Sequence, residues 1–362
     1  MDAGSTTHGK SYRGRLAPSP TGLLHLGHAC TFWTAYRRAV EHGGSLIFRN
    51  EDLDPQRSKP EFARAMMEDL EWLGIRWQEG PDIGGPFAPY EQSRRREFYM
   101  AAWRKLRDGG FIYPCDCSRK DLALSAAAPN ESDDEPVYPG RCRAKIVEAS
   151  KYGAPAGVNW RFLVPDGEVV AFDDLRQGPQ RFLTGKDFGD FVIWRRDDVP
   201  AYQLAVVTDD AAMAITEVVR GADLLKSTAR QLLLLRALGL SVPAYYHCDL
   251  SRNKSGVRLA KRHDALSLRK LREQGHTPSR SWIGAPSDNR NPFILGVRQQ
   301  EFLPLRLYGG GSSHERTFLR PNSLLTGKNT GNFVNLPAPL GLLVALNALF
   351  LATSAARARP GT

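Results

Sequence analysis

Hydrophobic positions near the N-terminus switch between short apolar runs and recurrences every three to four residues, and this rhythm sets the first elements. Tyr12 to Pro18 reads as a short strand ending in Pro-Ser-Pro-Thr-Gly, and the stretch from Gly27 to His42 reads as a helix. Ser45 to Arg49 reads as the next strand. Pro60 to Leu73 then places Phe62, Ala65, Met66, Leu70 and Leu73 on one helical face. A β-α-β-α opening predicts a parallel sheet.

A further helix is expected from Glu91 to Asp108. Composition changes at Tyr113 to Cys117, and a Pro/Ser/Asp-rich stretch from Ala126 to Pro139 marks an inserted subdomain. Strand-like runs return at Val158 to Val164, Phe191 to Arg195, Leu204 to Thr208 and Ala214 to Val219. An apolar helix from Ser227 to Leu238 should stop at Gly239, and a glycine-bearing loop from Asp249 to Arg262 precedes another basic helix. Beyond about Gly275 the periodicity fades. The uncharged run from Leu336 to Ala356 contains Asn347 and begins among Pro337 and Pro339, which argues against a membrane span.

Composition narrows the class. With 362 residues, 42% hydrophobic and 24% charged, the chain has the make-up of a globular protein of more than one domain, neither disordered nor polytopic. Lys+Arg 49 against Asp+Glu 39 leaves a net charge of +10, which favours polyanionic partners such as nucleic acid or phosphorylated metabolites. Much of it lies in the last hundred residues, with twelve basic against five acidic side chains. Five cysteines, three of them clustered, do not make a disulfide framework, and Met1 to Lys10 lacks an apolar core for secretion; both point to a reducing cytoplasm.

Three constellations carry chemistry. Arg15-Leu-Ala17-Pro-Ser19-Pro-Thr-Gly-Leu-Leu-His25-Leu-Gly27-His28 lies between the first strand and the next helix, whose N-terminus offers unpaired N–H groups and partial positive charge to a triphosphate. Two imidazoles three residues apart share a face and can each donate to a phosphoryl oxygen, while Gly27 lets a nucleotide approach the backbone. The histidines alone would equally suit a metal or an ordinary helix start; the flanking loop shifts the balance. The second constellation is Arg258-Leu-Ala-Lys261-Arg262, where a loop lysine could neutralise a departing pyrophosphate. The third is Cys115-x-Cys117 with Tyr138-x-x-x-Cys142. Three thiolates can hold zinc and leave one tetrahedral position, although the spacing alone leaves buried free thiols open.

The first motif resembles the His-x-Gly-His signature of class I aminoacyl-tRNA synthetases, in its glutamyl branch. The second keeps the fourth-position lysine of Lys-Met-Ser-Lys-Ser and replaces both serines. With the cysteine–tyrosine set, the sequence from about 12 to 275 resembles the glutamyl-queuosine tRNA(Asp) synthetases, shortened paralogues of glutamyl-tRNA synthetase. After Lys261 only 101 residues remain, too few for the large anticodon-binding part of a full-length glutamyl enzyme.

That resemblance implies an α/β Rossmann-type parallel sheet with an inserted zinc-bearing subdomain. The divisions expected are 12–112 for the first catalytic half, 113–190 for the insert, 191–275 for the second half with its lysine loop, and 276–362 for a basic tail. It implies His25, His28 and Lys261 as catalytic groups, with Gly27 joining them around ATP, and Arg15, Ala17, Ser19, Glu51, Tyr202 and Arg220 around L-glutamate. Cys115, Cys117, Tyr138 and Cys142 would bind Zn²⁺, and Mg²⁺ would accompany ATP. Glutamate would be activated as the adenylate without tRNA and passed to the queuosine ring of tRNA(Asp) by a monomeric enzyme. A glutamyl-tRNA synthetase charging tRNA(Glu) and a silent tRNA-binding paralogue are the alternatives.

Overall fold

A computed structural model describes residues 11–117, 137–250 and 267–278. Strand β1 (Arg13–Leu16) pairs in parallel with β2 (Ser45–Phe48), with Arg15 opposite Ile47, and helix α1 (Leu26–Glu41) crosses between them. The inner face of α1 carries small residues, Ala29, Ala35 and Ala39, so the helix lies close on the sheet. Helix α2 (Pro60–Trp72) starts with proline at its first position, where the missing N–H costs nothing, and buries Ala65, Met66 and Leu70. Met66 and Leu70 join Leu16, Phe48 and Trp77 in one core cluster.

A second, larger core gathers around Trp103, Trp160 and Trp194. Helix α3 (Arg96–Asp108), preceded by a 3₁₀ turn at Gln92–Arg94, supplies Trp103. The antiparallel strands β3 (Ile112–Cys115), β4 (Asn159–Phe162) and β7 (Val192–Trp194), in the order β3-β4-β7, add Ile112, Trp160 and Trp194, and later helices add Leu204, Leu234 and Leu238. Between β4 and β7 the chain makes a hairpin, β5 (Val169–Asp174) with β6 (Gly178–Leu183).

The chain then returns to a parallel pairing. Strand β8 (Glu217–Gly221) runs parallel to β9 (Ala244–Cys248), with α5 (Leu225–Leu238) as the crossover. The N–H of Thr216 donates to the carbonyl of Arg13 at 2.9 Å, which sets β8 beside β1 and brings the two parallel pairs together. Helix α5 ends at Gly239 in the left-handed conformation, φ 60°, as the sequence predicted, because a side chain there would be strained.

One element is corrected. Leu204 to Thr208, expected as a strand, lies within helix α4 (Tyr202–Ala212). A short apolar run with β-branched residues carries no period of its own, and here consecutive residues, Leu204 to Val207 and then Asp209 and Asp210, are all buried, so no polar face interrupts the run. A final short helix, α6 (Leu268–Glu273), is capped by Ser267, whose hydroxyl accepts from the N–H of Lys270 at 3.2 Å. Among the described residues no helix is long and apolar enough to cross a membrane. The basic tail from 279 onward, with the Leu336 to Ala356 run, lies outside the described residues.

Candidate active site

A cleft of about 240 Å³ opens where β1, β8 and β9 end and α1 begins. Arg15, Ala17, His25, Gly27, His28, Glu51, Tyr202 and Arg220 all line it. Eight of the sequence-derived positions therefore converge. Ser19 sits on the same loop, exposed and outside that lining. Lys261 lies outside the described residues. Of the described residues that flank it in sequence, Asp249 and Leu250 line the cleft, and on the other side Ser267 bridges to His25 and the N–H of Leu268 donates to the carbonyl of Leu24 at 2.8 Å.

The two imidazoles stack at the start of α1 with ring centroids 3.7 Å apart. A Cβ on Gly27 would come within 3.3 Å of the His25 ring, a tight approach that would push the ring by a few tenths of an ångström from the first helical turn. His28 opens an edge on the cleft, yet desolvation, and secondarily the neighbouring His25, lowers its pKa to about 4 against a smaller pull from Asp223. It is therefore a neutral imidazole at neutral pH.

Beneath the cleft runs a buried charge network that sequence reasoning missed. The Arg49 guanidinium donates to Asp210 at 2.7 Å and to Glu51 at 3.0 Å. Arg15 lies 3.5 Å from the same Asp210 and donates to the carbonyl of Val219 at 2.8 Å. Burial pushes the Glu51 carboxyl above its ordinary range against the opposing pull of Arg49 and Arg15. Burial likewise works against the Arg49 charge, but Asp210, Glu51 and Asp209 outweigh it and raise its pKa. Two consecutive acids in an otherwise apolar run, Asp209-Asp210, were the one signal in the sequence that could have disclosed this network.

Arg220 differs from these. It is 4% exposed, and among the described residues its nitrogens meet neutral acceptors. These are Nε2 of His247 at 3.1 Å, Oη of Tyr202 at 3.4 Å and Oγ1 of Thr228 at 2.6 Å.

A separate cluster forms where β3 ends. The sulfurs of Cys115, Cys117 and Cys142 lie within 4.8 Å of one another, with Cys117 and Cys142 3.7 Å apart. Tyr138 Oη is 3.5 Å from the sulfurs of both Cys115 and Cys117. A metal held tetrahedrally at about 2.3 Å from sulfur and about 2.0 Å from oxygen has edges of about 3.8 Å between sulfurs and about 3.5 Å between sulfur and oxygen. The Cys117–Cys142, Cys115–Tyr138 and Cys117–Tyr138 separations match those edges, and the chemistry of three thiols and a phenol suits zinc. Buried Arg161 packs its guanidinium 4.0 Å from the Tyr138 ring centre and donates to the Cys115 sulfur at 3.4 Å.

Residues 11–282 match the profile of the tRNA synthetases class I (E and Q), catalytic domain, and the chain belongs to that family of ligases. Among its relatives is the Glutamyl-Q tRNA(Asp) synthetase of Nitratidesulfovibrio vulgaris (strain Hildenborough), 50% identical over 267 residues, which are 73% of this chain and 82% of that one. The protein of the same name from Symbiobacterium thermophilum is 46% identical over 300 residues, 81% of this chain and 91% of its own length. The crystal structure of the glutamate-tRNA synthetase from Elizabethkingia anophelis is 30% identical with a TM-score of 0.61, covering 74% of this chain. This chain spans about half of that protein, 54%.

Proposed function

We propose that the protein activates L-glutamate with ATP and transfers it to the queuosine base of tRNA(Asp). The observation that carries the amino-acid part is Arg220. A buried guanidinium surrounded by neutral acceptors is costly, and a substrate carboxylate is the natural counter-charge. Arg15 supplies a second cation in the same cleft and Glu51 an anion for the ammonium group, a pattern of charge that suits glutamate. The transfer step rests on the two relatives that bear this name.

In this reading the glutamate α-carboxylate attacks the α-phosphorus of ATP and pyrophosphate leaves. No proton need move, so positioning and electrostatics dominate, and losing one preorganised donor costs about 3 kcal/mol of barrier. His25 and His28 donate to phosphoryl oxygens where charge develops, the N-terminus of α1 adds its partial charge, and Lys261 approaches the leaving group. Mg²⁺ accompanying the ATP would offset phosphate charge. Zn²⁺, bound by Cys115, Cys117, Tyr138 and Cys142 with no position left open, would supply folding energy to the 113–190 insert.

ATP–pyrophosphate exchange with purified protein tests this. Exchange should appear with glutamate and ATP alone, followed by glutamyl transfer to queuosine-bearing tRNA(Asp) and not to tRNA(Glu). Exchange that needs tRNA(Glu), with charging of that tRNA, would make the protein a glutamate–tRNA ligase. No exchange under any condition would leave only a binding role.

A further inference from the structure

Arg220 and His247 are register partners on the parallel strands β8 and β9, so the sheet itself delivers the imidazole to the guanidinium. His247 is fully buried. Its Nδ1 lies 2.6 Å from Oδ2 of Asp174, and its Nε2 lies 3.1 Å from Nε of Arg220 and 3.0 Å from Oγ1 of Thr228.

These partners settle the tautomer. An ionised carboxylate only accepts and an arginine Nε only donates, so Nδ1 carries the hydrogen and Nε2 is a bare acceptor. A doubly protonated ring would set two N–H groups against each other at Arg220. The surroundings agree, since burial and then Arg220 lower the His247 pKa to about 4, against the pull of Asp174.

Asp174 is equally constrained. It closes β5, and its Oδ1 accepts from the backbone N–H groups of Arg176 at 3.0 Å, Gln177 at 2.8 Å and His247 at 3.2 Å. Burial alone would raise its pKa, but the hydrogen bonds from His247, Gln177 and Arg176 outweigh this and hold the carboxyl below its ordinary range. A guanidinium has five N–H donors. His247, Tyr202 and Thr228 take one each, which leaves one N–H on each terminal nitrogen of Arg220.

We propose that Asp174 and His247 are positioning residues for amino-acid binding: Asp174 fixes the imidazole as the Nδ1–H tautomer, and its bare Nε2 holds Arg220 with two N–H groups turned over to a substrate carboxylate. Asp174 is also a remote counter-charge, one imidazole away, which lets the arginine stay buried without occupying the donors that substrate needs. This rests on the reading of Arg220 as a glutamate ligand. It adds that the tip of the β5–β6 hairpin, far from the signature motifs in sequence, sets the geometry of the amino-acid site.

Two substitutions separate the ends of the imidazole. His247→Asn reproduces the Nδ1 end and loses the contact to Arg220; His247→Gln reaches the Nε2 position with a carbonyl that can accept. In glutamate-dependent exchange, His247→Asn should raise KM for glutamate about tenfold or more and leave KM for ATP within about twofold, and His247→Gln should restore glutamate KM to within about threefold of the parent. Unchanged glutamate KM in His247→Asn would overturn the proposal, as would an equal rise in both KM values in both variants. An independent reading uses ¹⁵N-histidine NMR of the parent protein at pH 7, with the signal assigned by its loss in His247→Gln. A neutral Nδ1–H tautomer is expected. An Nε2–H tautomer or an imidazolium refutes the dyad whether or not the protein turns over glutamate, whereas a parent protein with the expected tautomer and no glutamate-dependent exchange refutes the functional reading instead.

Discussion

At the scale of single residues, the site works by holding side chains in one protonation state each. An imidazole titrates ordinarily near 6.5, and His28 is lowered to about 4. The folded chain therefore takes up this proton later than the unfolded one. The resulting stabilisation is whole above the unfolded value and is lost as pH falls through that value towards 4. Histidine NMR titration, with His28 assigned by its loss in His28→Gln, should show a midpoint near 4, and a midpoint near 6.5 would mean that the cleft does not desolvate the ring. The identity of these residues was legible from the sequence because the loop Pro18-Ser-Pro-Thr-Gly and the two histidines are contiguous. Arg49 and His247 were not, since nothing local distinguishes an arginine that holds Glu51, or a histidine that holds Arg220, from one on a solvated surface.

Among the elements, α4 shows how a misread helix hid part of the site. Its apolar run suggested a strand, but Asp209 gives the helix its purpose. That carboxylate accepts from Gln92 at 2.8 Å, Arg95 at 2.7 Å and Tyr99 at 2.8 Å, tying α4 to the 3₁₀ turn and to α3, while Asp210 beside it faces Arg15 and Arg49. Replacing Asp209 with alanine strands the fully buried Arg95 without its anion. Such a loss costs about 3–5 kcal/mol, and chemical denaturation should show a destabilisation of that size. A change below about 1 kcal/mol would mean that the backbone carbonyls of Phe87 and Pro89, which Arg95 also reaches, suffice by themselves. The elements of the opening β-α-β-α unit were readable because each has a clean period and end signals. The β5–β6 hairpin was not, because it sends only Val170 and Phe182 toward the larger core and its remaining positions are mixed polar and apolar.

Taken whole, the molecule assembles its chemistry from segments that only parallel register brings together. Strands β1, β8 and β9 come from distant parts of the chain, yet Arg15, Arg220 and His247 meet in their adjoining ends. The cysteine cluster has a different logic: Cys115 closes β3, Cys117 follows two residues on, and Tyr138 and Cys142 stand four apart, a spacing that by itself left buried free thiols open, so that only the family resemblance marked these donors as a metal set. If they bind zinc as proposed, purified protein should carry about one equivalent, and changing Cys115 and Cys117 to serine should remove it and lower Tm; metal-free protein in both forms would make the thiols structural. The neutral surroundings of Arg220 carry a consequence for the solvent as well. If a substrate carboxylate is its direct counter-charge, as proposed, small anions should compete for the same seat, and glutamate KM should rise with added chloride or phosphate at constant ionic strength; a KM indifferent to both would place the carboxylate elsewhere.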